Sequence, residues 1–355
     1  MKSRKILKDL KPYTPGKFVQ GTVKLASNEN QLGCSPKVLK VLKEIQNQIP
    51  VYPEGSSMEL RQKLAEGWGL KADNFVVGAG SDQILMLIAQ AYLESGDEVV
   101  ISETTFSQYE FSAQLAGATI KKVATTAYNQ YDLDAFEKAI TAKTKIIYLC
   151  SPNNPTGLII SDEKLQKFLK VVPGAVLVVL DEAYAEYVES KMYHNSRSIL
   201  AKYSNVILLR TFSKAYGLAG LRVGYGVAAI DIVGELMKVK EPFNVGRISQ
   251  MAALGALTDK AFLLKSQKNN KMAKKYMYSA LEKLGLHFYP SEANFIYIEV
   301  PIPAREFADQ IEKKGMTIRP LDSFGKPHAI RVTLGAPAQN ELFVDLLKRI
   351  LKKKS

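Results

Sequence analysis

Apolar and polar positions change their period several times along the chain. Between Ser35 and Ile45, the residues Val38, Leu39, Val41, Leu42 and Ile45 recur at helical spacing, and Ser35-Pro36 supplies an N-cap followed by proline at the first helical position. The segment Pro50-Val51-Tyr52-Pro53-Glu54-Gly55 interrupts this pattern. Another helix follows, with Leu60 and Leu64 one turn apart. From Phe75 onward strand and helix alternate. Phe75-Val76-Val77 reads as a short strand, Gly78-Ala79-Gly80 as a glycine turn and Ser81-Asp82 as a helix start. Ile84, Leu85, Leu87 and Ile88 form the buried side of that helix. Further strands are predicted at 98–101, 119–123, 145–150, 175–180 and 206–209, with helices between most of them. The 145–150 and 175–180 segments are continuous apolar runs, which belong to strands covered on both faces, as in a mostly parallel sheet.

Beyond Gly246 the composition turns helical. Residues 248–257 are apolar, and 261–283 form a long lysine-rich helix that leads into a smaller unit. That unit shows strands near 294–299, 317–319 and 329–333, with helices at 304–314 and 339–352. Pro12, Tyr13, Pro15 and Gly16 break any helix near the start. The predicted fold class is α/β: a large domain with a mostly parallel central sheet flanked by helices, plus a smaller α+β domain. The expected divisions are an arm at 1–28, the large domain at 29–260 and the small domain at 261–355.

Composition narrows the class. A hydrophobic content of 46% and a charged content of 23% are ordinary for a soluble globular chain. No apolar run approaches the roughly 18 residues of a membrane span, and the N-terminus lacks the apolar core of a signal peptide. Cys34 and Cys150 give no disulfide framework, so the cytosol is the expected compartment. His194, His287 and His328 are scattered without metal-ligand spacing, and no metal is expected. The net charge of +13 is concentrated at the ends: residues 1–17 hold six Lys/Arg and one acid, and residues 348–355 hold five Lys/Arg and no acid. Basic runs at termini are solvated, so no nucleic-acid surface is expected.

Candidate chemistry gathers at three strand ends. After 145–150 comes Ser151-Pro152-Asn153-Asn154-Pro155-Thr156-Gly157, after 175–180 comes Asp181-Glu182-Ala183-Tyr184, and after 206–209 comes the stretch from Thr211 to Arg222 that contains Lys214. Taken singly, each has an ordinary reading: a surface lysine, a turn, a helix cap. In a parallel sheet, however, all three fall on the same edge, where open α/β sheets bind ligands. Together they suit pyridoxal 5'-phosphate. Lys214 can form a Schiff base with its aldehyde. Asp181 can keep the ring nitrogen protonated. Asn154 and Tyr184 can donate to the ring oxygen. Gly80, Ser81 and Asp82 at a helix start, with Thr211, Ser213 and Arg222, can hold the phosphate. A carboxylate beside a phosphate is unfavourable, so Asp82 is expected to act through its backbone N–H or as a helix cap. A nucleotide site at Gly78-Ala79-Gly80 is the competing reading, but the third glycine of the dinucleotide fingerprint is missing. A nucleic-acid-binding regulator on the same fold would need an added helix-turn-helix domain, for which no residues are left over.

Across essentially its whole length the chain resembles the fold-type I pyridoxal-phosphate aminotransferases, and within them the histidinol-phosphate aminotransferase branch. The motifs above carry the resemblance, together with Lys24-Leu25-Ala26-Ser27-Asn28-Glu29-Asn30, Tyr52-Pro53-Glu54-Gly55, Ser291-Glu292-Ala293-Asn294-Phe295 and Ile330-Arg331-Val332-Thr333-Leu334-Gly335. The resemblance implies an aminotransferase working between histidinol phosphate and 2-oxoglutarate in histidine biosynthesis, with an aromatic amino acid aminotransferase as the alternative. It implies that Phe106 stacks on the cofactor ring. It implies a homodimer in which Tyr52 reaches the neighbouring subunit's cofactor phosphate. It also implies that Arg331, helped by Tyr13 and Arg319, grips the anionic end of the amino donor or 2-oxo acid. Gln31 stands where relatives carry proline, Gly246 stands where they often carry asparagine, and the segment from Tyr13 to Asn28 is short. These departures bear on substrate choice more than on chemistry.

Overall fold

The computed structural model describes residues 3–8, 10 and 19–352. Its strands are β1 Val23–Lys24, β2 Phe75–Gly78, β3 Glu98–Ser102, β4 Thr119–Val123, β5 Thr144–Cys150, β6 Leu177–Asp181, β7 Val206–Thr211, β8 Gly224–Ala228, β9 Phe295–Glu299, β10 Met316–Thr317, β11 Arg319–Pro320 and β12 Ala329–Thr333. Seven of them form the large sheet, in the order β2-β8-β7-β6-β5-β3-β4. The apolar runs at β5 and β6 lie at its centre and are buried on both faces, as the absence of alternation predicts. Period-two geometry still sorts their side chains. Leu149, Val178, Leu180 and Leu208 pack to one side, while Tyr148, Cys150, Val179 and Leu209 pack to the other.

Two strands are not visible in the hydrophobic pattern, the two-residue β1 and the longer β8. β8 pairs antiparallel with both β2 and β7, so it runs against the rest of the sheet. Gly224 and Gly226 disguise it, because glycine in a strand interior is usually a weak strand signal. The structure gives their reason. A Cβ on Gly224 would stand 2.7 Å from the Ser81 nitrogen and 2.9 Å from the Arg210 oxygen. The glycine is what lets the backbone of β8 lie against the turn that starts the helix Ser81–Tyr92.

The C-terminal part forms a three-stranded antiparallel sheet, β11-β12-β9. The predicted strand near 317–319 is two short strands in different sheets: β10 pairs in parallel with β1, and β11 pairs with β12. Helices Lys260–Lys283, Ala304–Glu312 and Pro337–Leu351 cover this unit, and Asp259 caps the first of them by accepting from the Phe262 N–H. Leu25 is fully buried in the same core, beside Ile296, Ile330 and Val332. Its backbone is held on both sides, donating to the Thr317 oxygen at 2.8 Å and accepting from the Thr333 N–H at 2.9 Å. Among the described residues no helix is long and apolar enough to cross a membrane.

Gly224→Ala should cost about 1–3 kcal/mol, because the atoms it meets are backbone and cannot rotate away. Urea unfolding reads this directly. An alanine variant as stable as the parent would mean that β8 can drift off the 80–81 turn at no cost.

Candidate active site

Parallel pairing brings the strand ends together. In the register of the sheet Cys150 lies opposite Asp181, and Asp181 opposite Leu209. The chain leaves β5, β6 and β7 at one edge, and β3 delivers the segment Glu103–Phe106 to the same edge. A cavity of about 1190 Å³ opens there, between the large sheet and the C-terminal unit. Ser81, Asp82, Phe106, Asn154, Asp181, Tyr184, Thr211, Ser213, Lys214, Arg222, Arg319 and Arg331 all line it. Tyr13 lies outside the described residues.

Along the cavity lining the fold presents an anion cradle. Helix Ser81–Tyr92 begins at Gly80 with no side-chain cap, which leaves its first N–H groups for a ligand. Gly80 has φ +80°, and a Cβ there would collide with the Arg222 guanidinium. Thr211 Oγ1 donates to Ser213 Oγ at 3.0 Å and accepts from the Ser213 N–H at 3.1 Å. Arg222 Nη2 donates to Asp82 Oδ2 at 2.9 Å. The Asp82 side chain is therefore not a helix cap: it neutralises part of the arginine at the edge of the cradle.

Lys214 is half-buried, and its amine donates to the Ser27 carbonyl at 3.1 Å. Burial, and after it the Arg331 cation, bring its pKa down to about 8 against the pull of Asp82 and Glu29. Asn28 has φ +56° and donates through Nδ2 to the Tyr184 hydroxyl at 3.0 Å. Arg331 is buried; Nη1 donates to Asn154 Oδ1 and Nη2 to the Ala26 carbonyl at 2.9 Å. The Asn154 oxygen is thus engaged, and what this residue can offer a ligand is its amide nitrogen. Arg319 sits directly across from Arg331 in the β11–β12 register, so both arginines serve one wall. Phe106 is half-buried at the cavity wall, edge-on to Tyr109 with ring centroids 5.7 Å apart.

Tyr52 does not line this cavity. It is 76% exposed and stacks on Phe243, with centroids 4.7 Å apart, on a face that also exposes Ile49 and Val51. Gln31 bridges the two parts of the chain near the site, donating to the Lys24 carbonyl and accepting from Gln339 Nε2. Gly246 is the N-cap of helix Arg247–Leu257.

Two adjacent carboxyls show how the fold sets charge. Asp181 closes β6 on the face shared with Val179, and Glu182 emerges on the other side. Burial raises the pKa of Asp181 to about 6, although the Tyr109 hydroxyl and the Ala183 N–H both donate to it. Burial would raise Glu182 as well, but Arg210, His194 and Ser196 overcome it and hold Glu182 at about 2. Arg210 Nε lies 2.7 Å from Glu182 Oε2, His194 Nε2 lies 2.5 Å from Oε1, and Ser196 Oγ donates to both oxygens. Neither Tyr109 nor this cluster is marked in the sequence, apart from the position of Tyr109 one helical turn after Phe106.

Asp181 holds its proton more tightly in the folded chain than in the unfolded one. Its contribution favours folding below the ordinary carboxylate range and is lost as pH rises through about 6. In the cofactor-free protein Asp181→Asn should therefore be the more stable form at pH 8, by at most roughly 3 kcal/mol, and should lose that lead by pH 4. Urea unfolding at the two pH values measures the difference; the same gap at both would argue against a buried ionising carboxyl.

Comparison with known proteins shows the family. Residues 20–350 match the family model for aminotransferase class I and II. A histidinol-phosphate aminotransferase of Moorella thermoacetica is 46% identical, over 99% of this chain and 93% of its own. The Bacillus subtilis enzyme of that name is 40% identical over 99% of this chain and all of its own (100%). The crystal structure of histidinol-phosphate aminotransferase from Sinorhizobium meliloti in complex with pyridoxal-5'-phosphate superimposes with a TM-score of 0.90 at 26% identity, covering 99% of this chain and 98% of that one. With a matching sequence over nearly its full length and a matching fold, the chain belongs to the aminotransferase class I and II family.

Proposed function

We propose that the chain is a pyridoxal 5'-phosphate-dependent histidinol-phosphate aminotransferase, moving an amino group between histidinol phosphate and 2-oxoglutarate in histidine biosynthesis. The observation that carries the reading is a cavity lined by two separate cationic groups and a lysine amine. One group is the helix start with Arg222; the other is the cross-strand pair Arg319 and Arg331. The first suits a cofactor phosphate. The second suits a dianionic substrate phosphate better than a lone arginine would, through charge-assisted, bidentate hydrogen bonds. The same arginines then take a carboxylate of glutamate in the return half of the cycle.

The residues present fit the cofactor. The Ser81 and Asp82 N–H groups, Thr211, Ser213 and Arg222 would hold its phosphate, Asp181 would keep its ring nitrogen protonated, Asn154 and Tyr184 would bond its ring oxygen, and Phe106 would cover the ring. When bound, pyridoxal phosphate supplies an aldehyde carbon for amines and a cationic ring that draws electrons from the reacting carbon. Lys214 Nζ would hold that aldehyde, and when free, with a pKa of about 8, it could take up the proton from the substrate carbon and return it. Asp181, ionised beside a cationic ring, stabilises the charge on which this transfer depends.

The reading includes a cytosolic homodimer with shared sites. Tyr52 lies outside its own cavity on an exposed apolar face, in keeping with service to a second copy. It also keeps the proposed division into an arm at 1–28, a large domain at 29–260 and a small domain at 261–355.

A half-reaction without acceptor tests the substrate. Histidinol phosphate should convert the yellow enzyme to its pyridoxamine form with at least about a hundredfold greater efficiency than phenylalanine, the scale expected when buried polar groups lose their partner. Equal or reversed preference would move the assignment to an aromatic amino acid aminotransferase and leave the chemistry intact. Subunit mixing tests the shared site. Inactive Lys214→Ala chains combined with a crippled Tyr52→Phe variant should regain activity, since one site of each hybrid is whole. Proven exchange with no recovery would place Tyr52 outside the site.

A further inference from the structure

Tyr109 has no part in the chemistry above, yet it is built into the floor of the cavity. It is fully buried on helix Ser107–Ala116, which starts immediately after Phe106. Its ring lies flat on Tyr148, with centroids 4.9 Å apart and planes 5° from parallel, and Phe106 meets it edge-on. Packed on two sides, the ring has little freedom to turn. Its hydroxyl donates to Asp181 Oδ2 at 2.7 Å, across 72 residues of sequence. The other carboxylate oxygen accepts from the Ala183 N–H at 3.0 Å. Together the bonds fix the carboxylate plane: the backbone holds one oxygen and a locked phenol the other.

We propose that Tyr109 is a positioning residue acting through Asp181, its hydroxyl aiming the carboxylate at the cofactor ring nitrogen and keeping it an acceptor. The inference rests on the reading that Asp181 meets that nitrogen. A phenol is the donor suited to the task. Burial holds the Tyr109 pKa well above its ordinary value, and the Asp181 charge raises it further, so the hydroxyl keeps its proton and always donates. A donor to the charged form favours that form, and here it opposes the burial that drives Asp181 toward neutrality. The other titratable groups facing Asp181 do not help. Asp82 and Glu182 oppose its charge, and Cys150, Tyr131 and Tyr184 are buried groups whose own pKa values are pushed up.

Tyr109→Phe deletes the hydroxyl and keeps the ring stack. The readout is the pyridoxal phosphate dissociation constant, from absorbance titration of the cofactor-free chain between pH 5 and 9. Affinity at pH 7 should fall about tenfold, the effect of removing a hydrogen bond to a charged, buried acceptor. The pH below which affinity declines should rise by about one unit. Site-specific 3-fluorotyrosine, a stronger donor, should move that midpoint the other way. In an Asp181→Asn background the Tyr109→Phe change should add less than about twofold, as a residue acting only through Asp181 must. Unchanged affinity and midpoint in Tyr109→Phe would overturn the proposal, as would an equal loss in both backgrounds, which would mean packing alone. If Asp181→Asn itself bound cofactor and transaminated normally, the reading of Asp181 would fail and this proposal with it. A crippled Asp181→Asn beside an indifferent Tyr109→Phe would sink the proposal only.

Discussion

Burying the Asp181 carboxyl costs free energy that the rest of the site is arranged to offset. It ends a strand whose other residues are apolar, and it is itself almost fully buried. Two neutral donors hold its oxygens, and among the described residues no cation pairs with it. Its charge is therefore left for a ligand. Glu182, one residue on, shows the opposite solution. It faces the other side of the sheet, where Arg210 and His194 meet it, and its charge is spent on the fold. Strand periodicity assigns the two carboxyls to opposite faces, and the partners on each face decide which one is available for chemistry.

The Glu182 cluster also has a mechanical consequence. Arg210 belongs to β7 and Glu182 follows β6, so their bond ties the ends of neighbouring strands just where Asp181 and Thr211 leave the sheet. Glu186, Ser196 and His194 extend the tie into the loops beyond. Removing one member would leave an uncompensated buried charge, which is why such networks are costly to break.

The segment Ala26–Asn28 joins the two parts of the molecule chemically. Leu25, just before it, is locked into the C-terminal core. Ala26 then accepts from Arg331, Ser27 from Lys214, and Asn28 donates to Tyr184. Asn294 and Thr333 hold Asn28 from the C-terminal side. Three groups assigned to cofactor and substrate therefore share three consecutive residues, and a shift of this segment reaches all of them at once.

The sequence determined the central strands, their burial and the chemistry at their ends. Those features are local: a continuous apolar run forces a two-sided strand, and the polar motif after it must lie where the strand stops. Lys214, Asp181 and Asn154 were picked out for that reason, and Arg331, in the middle of its strand, by resemblance alone. Only the tertiary structure decided what depends on distant partners. β8 was hidden because its glycines serve neighbours, Gly224 at Ser81 and Arg210 and Gly226 at Val76, not its own strand propensity. Asp82 pairs with Arg222 across 140 residues, so its side chain could not be placed from the helix start alone. Tyr52 lies on an exposed face, although its motif says nothing of exposure. Tyr109 reads in sequence as one more apolar helix position. Its bond to Asp181 exists because the sheet brings β3 and β6 to the same edge, a nonlocal fact that no pattern within ten residues of either one contains.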